Sequence, residues 1–311
     1  MKLLITGGTG TIGKEITKIA LKKKYKINIL TRNKSITSIN EDLNYFFWNP
    51  VTKEIDSKCF EDIDSVINLA GFNVFNPWGK KNKSKILDSR LNSTKFILDE
   101  INKRNIKLKS FINASGTQAY KSSYSNYYSE HDAISDKNNF INQVVINWES
   151  IILDYKKIMP STSFSIMRIG LVLSRDGGFY KILNKLARFY LLSTIGTGEQ
   201  WQSWIHVNDV ARAFLRNSKE SWEGIYNLVT PNPVTNKVML KSIAKHANRK
   251  IIFPKIPLKI VNLILGEMSQ IINSSLKVKP SNLKQKKFKY NFINLDQALA
   301  HLSSRTDDNM A

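Results

Sequence analysis

Cysteine is nearly absent. Cys59 is the single cysteine in 311 residues, which excludes an internal disulfide and a cysteine metal cluster and suits a reducing cytosol. A cytoplasmic setting is therefore expected, with no bound metal. Long apolar runs are also missing: the best, Ile256 to Ile272, is broken by Lys259 and Glu267, so no membrane span is expected. No internal repeat is visible. Acidic residues are scarce beside basic ones, 25 against 47, for a formal net charge of +22. The lysines run along the whole chain together with abundant Asn and Ile, three residues that share A/T-rich codons. No aromatic-studded basic motif of an RNA-binding module accompanies them. The charge reads as a solvated surface, and no nucleic-acid partner is expected.

What is present is concentrated in residues 2 to 13. Leu3, Leu4 and Ile5 form a short apolar run suited to a buried parallel strand. Gly7, Gly8, Gly10 and Gly13 follow, then Ile16, Ile19 and Ala20 at helical spacing. Strand, glycine turn and helix together form a dinucleotide-binding fingerprint. In it, Gly7 and Gly8 allow a tight turn, and Gly10 lets a pyrophosphate approach the backbone. Gly13 lets the helix pack close, and the free N–H groups of the helix start, at Thr11 and Ile12, face the phosphates. Because this strand starts at residue 2, no cleavable leader is expected before it.

Strand and helix patterns then alternate. Lys26 to Leu30 reads as a second strand, ending in Thr31-Arg32-Asn33-Lys34. An acidic residue at this point binds the ribose 2′-OH of NAD, whereas Arg accommodates the 2′-phosphate of NADP. No acid is here, so Arg32, helped by Lys34, points to NADP. A short strand and a turn at Asn49-Pro50 follow. Asp64 to Gly71 reads as a buried strand whose small-residue end, Leu69-Ala70-Gly71, leaves room for the cofactor. Ile86 to Ile101 has helical spacing, Ser110 to Ala114 is a strand, and 121–139 is a polar loop over the site. Phe140 to Tyr155 is helical, and Ser163 to Ile169 is a strand that carries Arg168, a further cofactor-site candidate. This alternation predicts a doubly wound α/β parallel sheet. Ile225 to Val229 returns to that sheet. The expected division is a Rossmann domain over 1–230 with a substrate-lobe insertion at about 171–222. A C-terminal lobe over 231–302 and a flexible tail over 303–311 complete it. Within the insertion, Asn208 or Asp209 is expected to cap a helix starting at Val210.

The chain to about Leu302 resembles the extended short-chain dehydrogenases/reductases. Thr6 to Gly13 is similar to their fingerprint, Asn68-Leu69-Ala70-Gly71 to their fourth-strand motif, and Trp204-Ile205-His206-Val207-Asn208-Asp209-Val210-Ala211 to a late family motif. More narrowly it resembles the atypical sugar-nucleotide-epimerase-like, or YfcH-like, subgroup. That likeness rests on Asp88-Ser89-Arg90, Asp176-Gly177-Gly178, Gly196 to Trp204, Tyr226-Asn227-Leu228 with Pro231 to Asn236, and Leu265-Gly266-Glu267-Met268. The last belongs to a small C-terminal domain of no assigned function. Plant and cyanobacterial members are described as cell-division-inhibitor-like and linked to plastid division.

The resemblance implies an NADP-binding epimerase or oxidoreductase acting on a small molecule, as a monomer or homodimer. It also exposes a gap. Active members of the wider family use a Tyr with a Lys four residues later, so that the ammonium lowers the phenol's pKa. None of the eleven tyrosines here has such a Lys. Phe140 and Val144 stand at the positions expected for the pair, and the subgroup as a whole lacks it. Ser115 remains near the family's catalytic Ser, and relocated acid/base groups are sought among Tyr120, His206, Glu199 and Asp209. The alternative is an NADP-binding regulator without turnover that acts through a protein partner. Arg32 is testable directly. Replacing it by Ala is expected to weaken NADPH binding by about tenfold to hundredfold, the value of roughly 1.5–3 kcal/mol for a charge-assisted phosphate pair, while leaving NADH unchanged. Parallel titrations of both cofactors check this; equal affinities in the wild type rule out the assignment.

Overall fold

The computed structural model describes residues 1–36, 40–134 and 139–304. The first unit matches expectation: β1 (Lys2–Thr6), a glycine turn, α1 (Thr11–Lys22) and β2 (Lys26–Thr31). Next come β3 (Leu43–Asn49), β4 (Glu54–Ile55), β5 (Ser65–Asn68), α2 (Lys80–Lys103) and β6 (Ser110–Gly116). The helix α2 starts earlier than its apolar spacing predicts, because its first turn carries lysines that face solvent. The polar stretch after β6 holds a short strand, β7 (Tyr127–Tyr128), followed by α3 (Phe140–Ile158) and β8 (Ser163–Ile169). Residues 135–138 of that expected loop lie outside the described residues.

These strands form one sheet of eight in the order β12-β8-β6-β5-β1-β2-β3-β4, with β12 spanning Gly224–Leu228. All pairings are parallel except β3 with β4. Burial on both faces explains the near-continuous apolar strands. Leu3 and Ile5 join a cluster with Ile16 and Ala20 of α1 and with Val210 and Phe214 further on, while Leu4 joins Ile97 of α2 and Ile152 of α3 on the opposite face. Alternate side chains of one strand thus bind two helical layers, and the doubly wound architecture is observed. The order reverses at β1, whose neighbours are β2 and β5. The crevice outside a parallel sheet's carboxyl ends lies at such a switch point.

A third cluster builds the lobe over that edge. It joins β9 (Leu171–Leu173), α4 (Gly178–Arg188), α6 (Asn236–His246) and α10 (Leu295–Ser303) around the fully buried Trp204. Trp204 lies in β11 (Trp204–His206), which pairs in parallel with β9; β10 (Trp201–Gln202) pairs with β13 (Val234–Thr235). The remaining elements are α5 (Val207–Glu220), α7 (Leu258–Leu265), α8 (Ser269–Asn273), β14 (Lys277–Val278) and α9 (Ser281–Gln285). The cap of α5 differs from expectation. The helix starts at Val207, and His206 caps it, Nδ1 accepting from the Asn208 N–H at 3.1 Å.

Two buried carboxylates tie the C-terminal third to the sheet domain. Asp209 accepts from the N–H groups of Asn291 (2.8 Å) and Phe292 (2.9 Å) and pairs with Arg212 at 2.8 Å. Glu130 accepts from the N–H groups of Asn227, Ser281 and Asn282. Arg175 donates to the carbonyls of His301, Leu302 and Ser304, so Ser303 and Ser304 are held rather than frayed. The rest of the expected tail, 305–311, lies outside the described residues. Asp209→Ala is expected to lower the free energy of unfolding by about 3 kcal/mol, since it strands two buried backbone donors. Urea melts against the exposed-site control Asp88→Ala check this, the control staying within about 0.5 kcal/mol of wild type.

Candidate functional site

The carboxyl ends of β1, β5 and β6 are joined by buried polar side chains. Thr6 Oγ1 donates to Asn68 Oδ1 (2.5 Å), and Asn68 Nδ2 donates to Thr94 Oγ1 (2.8 Å) and Asn113 Oδ1 (2.7 Å). Trp148 Nε1 donates to the same Thr94 oxygen at 2.7 Å. Thr6 Oγ1 in turn accepts from the N–H groups of Leu69 and Ala70. The network holds the Leu69-Ala70-Gly71 turn beside the glycine turn and sets Trp148 of α3 in the wall above.

The glycine turn is as close as geometry allows. Gly7 has φ +67°, and a Cβ on it would stand 2.8 Å from the Leu69 carbonyl carbon. A Cβ on Gly13 would stand 2.5 Å from Gly8 Cα, so α1 packs directly on the turn. Gly8 sits in the turn closed by the Gly10 N–H on the Gly7 carbonyl at 3.0 Å, and its missing Cβ also makes room for Ile29 of β2. At the start of α1, Gly10 is the N-cap, no side chain caps the helix, and no acid occupies the first turn. Its leading N–H groups and the positive end of its dipole are left for an anion. Gly71 abuts the guanidinium of Arg90. Arg32 is exposed at the end of β2, and Lys34 Nζ lies 4.4 Å over the Phe47 ring beside it.

Between this edge and the lobe lies a cavity of about 340 Å³. Thr11 and Ile12 line one end, Ser115 to Gln118 the floor, and Ile141, Val145 and Trp148 of α3 one wall. Gly177 and Phe179, Trp201 to Ser203 and Leu276 close it from the lobe. Gly177 sits on Thr11, where a Cβ would be 2.1 Å from the Thr11 hydroxyl. Ser115 is the expected candidate that reaches this space. Its hydroxyl donates to Glu149 Oε1 at 2.6 Å, and Arg168 clamps the same carboxylate, Nε to Oε1 at 2.9 Å and Nη2 to Oε2 at 2.7 Å. The pairing with Glu149 outweighs the effect of burial and raises the Arg168 pKa. With its proton committed to Glu149, the Ser115 oxygen offers lone pairs to the cavity.

Three other candidates lie behind the wall. Tyr120, Arg168 and His206 are 0%, 2% and 1% exposed, and none lines the cavity. Tyr120 stacks on Tyr128 and donates to Asn227 Oδ1 at 2.9 Å. Burial raises its pKa although Arg168 lies over its ring, so it stays protonated at neutral pH. Arg168 gives Nε and Nη2 to Glu149, while its buried Nη1 has no hydrogen-bond partner among the described residues. His206 caps α5 and packs on Phe292 and His301. Glu199 and Asp209 are likewise outside the cavity wall. On α3 the cavity-facing pair one turn apart is Ile141 and Val145, while Phe140 and Val144 turn toward Trp78. Sequence reading overlooked Glu149 and Trp148, which have no local signature, and Arg90, which it quoted only as part of a motif.

Among the described residues no group of His, Cys, Asp and Glu forms a metal-binding cluster, and no helix is long and apolar enough to cross a membrane. Residues 3–228 match the NAD dependent epimerase/dehydratase family, and residues 254–302 match a domain of unknown function, DUF1731. Epimerase family protein SSP1921 of Staphylococcus saprophyticus is 33% identical over 300 residues, covering 96% of this chain and 98% of its own. Epimerase family protein SAR0825 of Staphylococcus aureus is 32% identical over 304 residues, with 97% and 99% covered. The human epimerase family protein SDR39U1 (isoform 2), solved with NADPH, superposes with a TM-score of 0.85 at 24% identity, over 97% of this chain and 99% of that one. UDP-N-acetylglucosamine 4-epimerase from Bacillus cereus superposes with a TM-score of 0.77 at 18% identity, over 97% and 98%. These superpositions show the shared fold.

His206 yields a pH dependence. Burial, reinforced by the neighbouring His301, lowers its pKa from 6.5 to about 3. The folded protein keeps it neutral, whereas the unfolded chain protonates it below about 6.5. Its contribution is therefore complete above pH 6.5 and is lost as pH falls toward 3, reaching about 2 kcal/mol at pH 5. Urea melts at pH 7 and pH 5 are expected to show this extra loss in the wild type and not in His206→Gln.

Proposed function

This chain belongs to the NAD dependent epimerase/dehydratase family, and from that premise we propose that it is an atypical short-chain dehydrogenase/reductase, an NADPH-binding oxidoreductase acting on a small substrate. The observation that carries the reading is the uncapped start of α1 over a positive-φ glycine turn, opening into a cavity at the switch point. The residues fit a nicotinamide dinucleotide. The N–H groups of Thr11 and Ile12 meet its pyrophosphate, Arg32 with Lys34 meets the 2′-phosphate, and Leu69 to Gly71 leave room beside it. SDR39U1, solved with NADPH, supports the choice of cofactor. The dinucleotide, when bound, supplies hydride transfer. The chain contributes a water-poor apolar chamber, which strengthens every polar contact inside it. Ser115, fixed by Glu149, accepts a hydrogen bond from a substrate hydroxyl. In the oxidising direction a proton leaving that hydroxyl passes to Ser115 while Ser115's own proton passes to Glu149; in carbonyl reduction, the direction that NADPH oxidation reads, the same relay runs in reverse, from Glu149 through Ser115 to the substrate oxygen.

A second reading has its own support. Among the described residues no carboxylic acid, His, Cys, Tyr or Lys lines the cavity, so direct acid/base chemistry has no such titrating group in the described wall. That favours an NADPH-binding regulator working through a protein partner. NADPH oxidation over a panel of aldehydes, quinones and nucleotide sugars separates the two readings. Turnover is expected with some member of the panel, falling about 10²-fold or more in Ser115→Ala, the size of a general acid–base contribution. NADPH binding without turnover anywhere favours the regulator, and absence of dinucleotide binding overturns both.

A further inference from the structure

Among the described residues, Arg90 is the sole ionisable side chain lining the cavity. Its Nη1 donates to two backbone carbonyls, Phe72 O at 3.1 Å and Ile86 O at 2.9 Å. The guanidinium lies against Gly71, where a Cβ would be 2.9 Å from Cζ, and 5.4 Å from the Trp148 ring centre. It is anchored on one side by carbonyls and a ring, and its remaining donors, Nε and Nη2, have no hydrogen-bond partner among the described residues. No carboxylate pairs with it either. Arg104, Arg168, Arg212 and Arg216, by contrast, each pair with an acid. Burial without a compensating charge lowers its pKa from 12.5 to about 10, which still leaves it cationic at neutral pH. The residue is only partly buried, and an uncompensated cation on a largely apolar wall gains by pairing with an arriving anion. Most of the surface that completes the chamber is apolar, with Ile12, Phe75, Ile141, Val145, Phe179 and Leu276, and its polar remainder, such as Gln118, Gln202 and Ser203, is uncharged.

We propose that Arg90 is the anion-recognition residue of this cavity, and that the ligand taken there is a compact, largely apolar molecule bearing one carboxylate or phosphate. The assignment rests on the reading of the cavity as the reacting end of a dinucleotide site. With about 340 Å³ available for both, the low end of the range for ligand pockets, a second nucleotide does not fit beside the nicotinamide. A planar fork with two open donors suits a bidentate oxyanion. The same chemistry has a second source, the pyrophosphate of the dinucleotide itself, and the test separates the two.

Phenyl phosphate, benzoate and the neutral benzamide are titrated by tryptophan fluorescence, Trp148 and Trp201 both lining the cavity. The titrations use wild type, Arg90→Gln and Arg90→Lys, with and without saturating NADPH, whose own affinity is measured in parallel. In wild type with NADPH, the two anions are expected to bind about tenfold or more tighter than benzamide, the scale of a charge-assisted hydrogen bond. Arg90→Gln erases that preference while NADPH affinity stays within about threefold. Arg90→Lys, which keeps the charge and loses the fork, retains part of it. Equal binding of anions and benzamide in the wild type overturns the proposal. So does a tenfold loss of NADPH affinity in Arg90→Gln with anion binding already abolished by NADPH, since the guanidinium then serves the dinucleotide. If NADPH fails to bind the wild type, the functional reading falls separately; an anion preference in the cofactor-free protein that Arg90→Gln removes still supports the site.

Discussion

The structure depends on the close approach of two turns at the carboxyl edge of the sheet. Gly7 and Leu69 meet at backbone contact, and Thr6, Asn68, Thr94, Asn113 and Trp148 close a buried hydrogen-bond network beneath them. A fully satisfied buried network rigidifies the elements that supply it, because every broken link leaves a polar group unpaired in low dielectric. It therefore fixes β1, β5, β6, α2 and α3 relative to one another, and with them the floor and one wall of the cavity. The uncapped start of α1 is held over that floor by the contact of Gly13 with the Gly7–Gly8 turn.

The C-terminal part of the chain completes the chamber rather than forming a separate body. Leu276 and Ile271 line the cavity from residues beyond 254, inside the segment that matches DUF1731. Buried carboxylates do the fastening: Asp209 and Glu130 accept from backbone N–H groups of the C-terminal third. The result is a small, largely apolar space that holds the Arg90 cation and the oriented hydroxyls of Ser115 and Ser203. In such a space polar contacts act at low dielectric, so a few well-placed groups suffice to orient a ligand.

The displacement of expected site residues has a common cause. Tyr120, Arg168 and His206 all sit within a few residues of the cavity in sequence, and each is chemically versatile. Their side chains are directed to the far side of the wall, where Tyr120 bonds Asn227, Arg168 bonds Glu149 and His206 caps α5. Strand alternation decides this at Arg168, because a one-residue step turns a side chain to the opposite face. On α3 the same sensitivity appears as a helical phase: Ile141 and Val145 face the cavity, and Phe140 and Val144 do not. A position inferred by spacing across a polar loop carries an uncertainty of one residue, and one residue is about 100° of helix rotation.

The sequence by itself determined the architecture and the cofactor loop. Apolar strand runs, helical spacing and Gly7, Gly10 and Gly13 are local signals, each set by backbone sterics or by a face that must be buried, so they are readable without knowing the neighbours. The place of Ser115 at the end of β6 followed from the same reasoning. Tertiary structure alone decided which side chains face the cavity, that Glu149 holds Ser115, that His206 is a buried neutral cap, and that Arg90 places a charge in a largely apolar chamber. Those facts depend on contacts between residues far apart in the chain, Ser115 with Glu149 and Arg90 with Phe72 and Trp148, and on the desolvation that only the assembled walls impose.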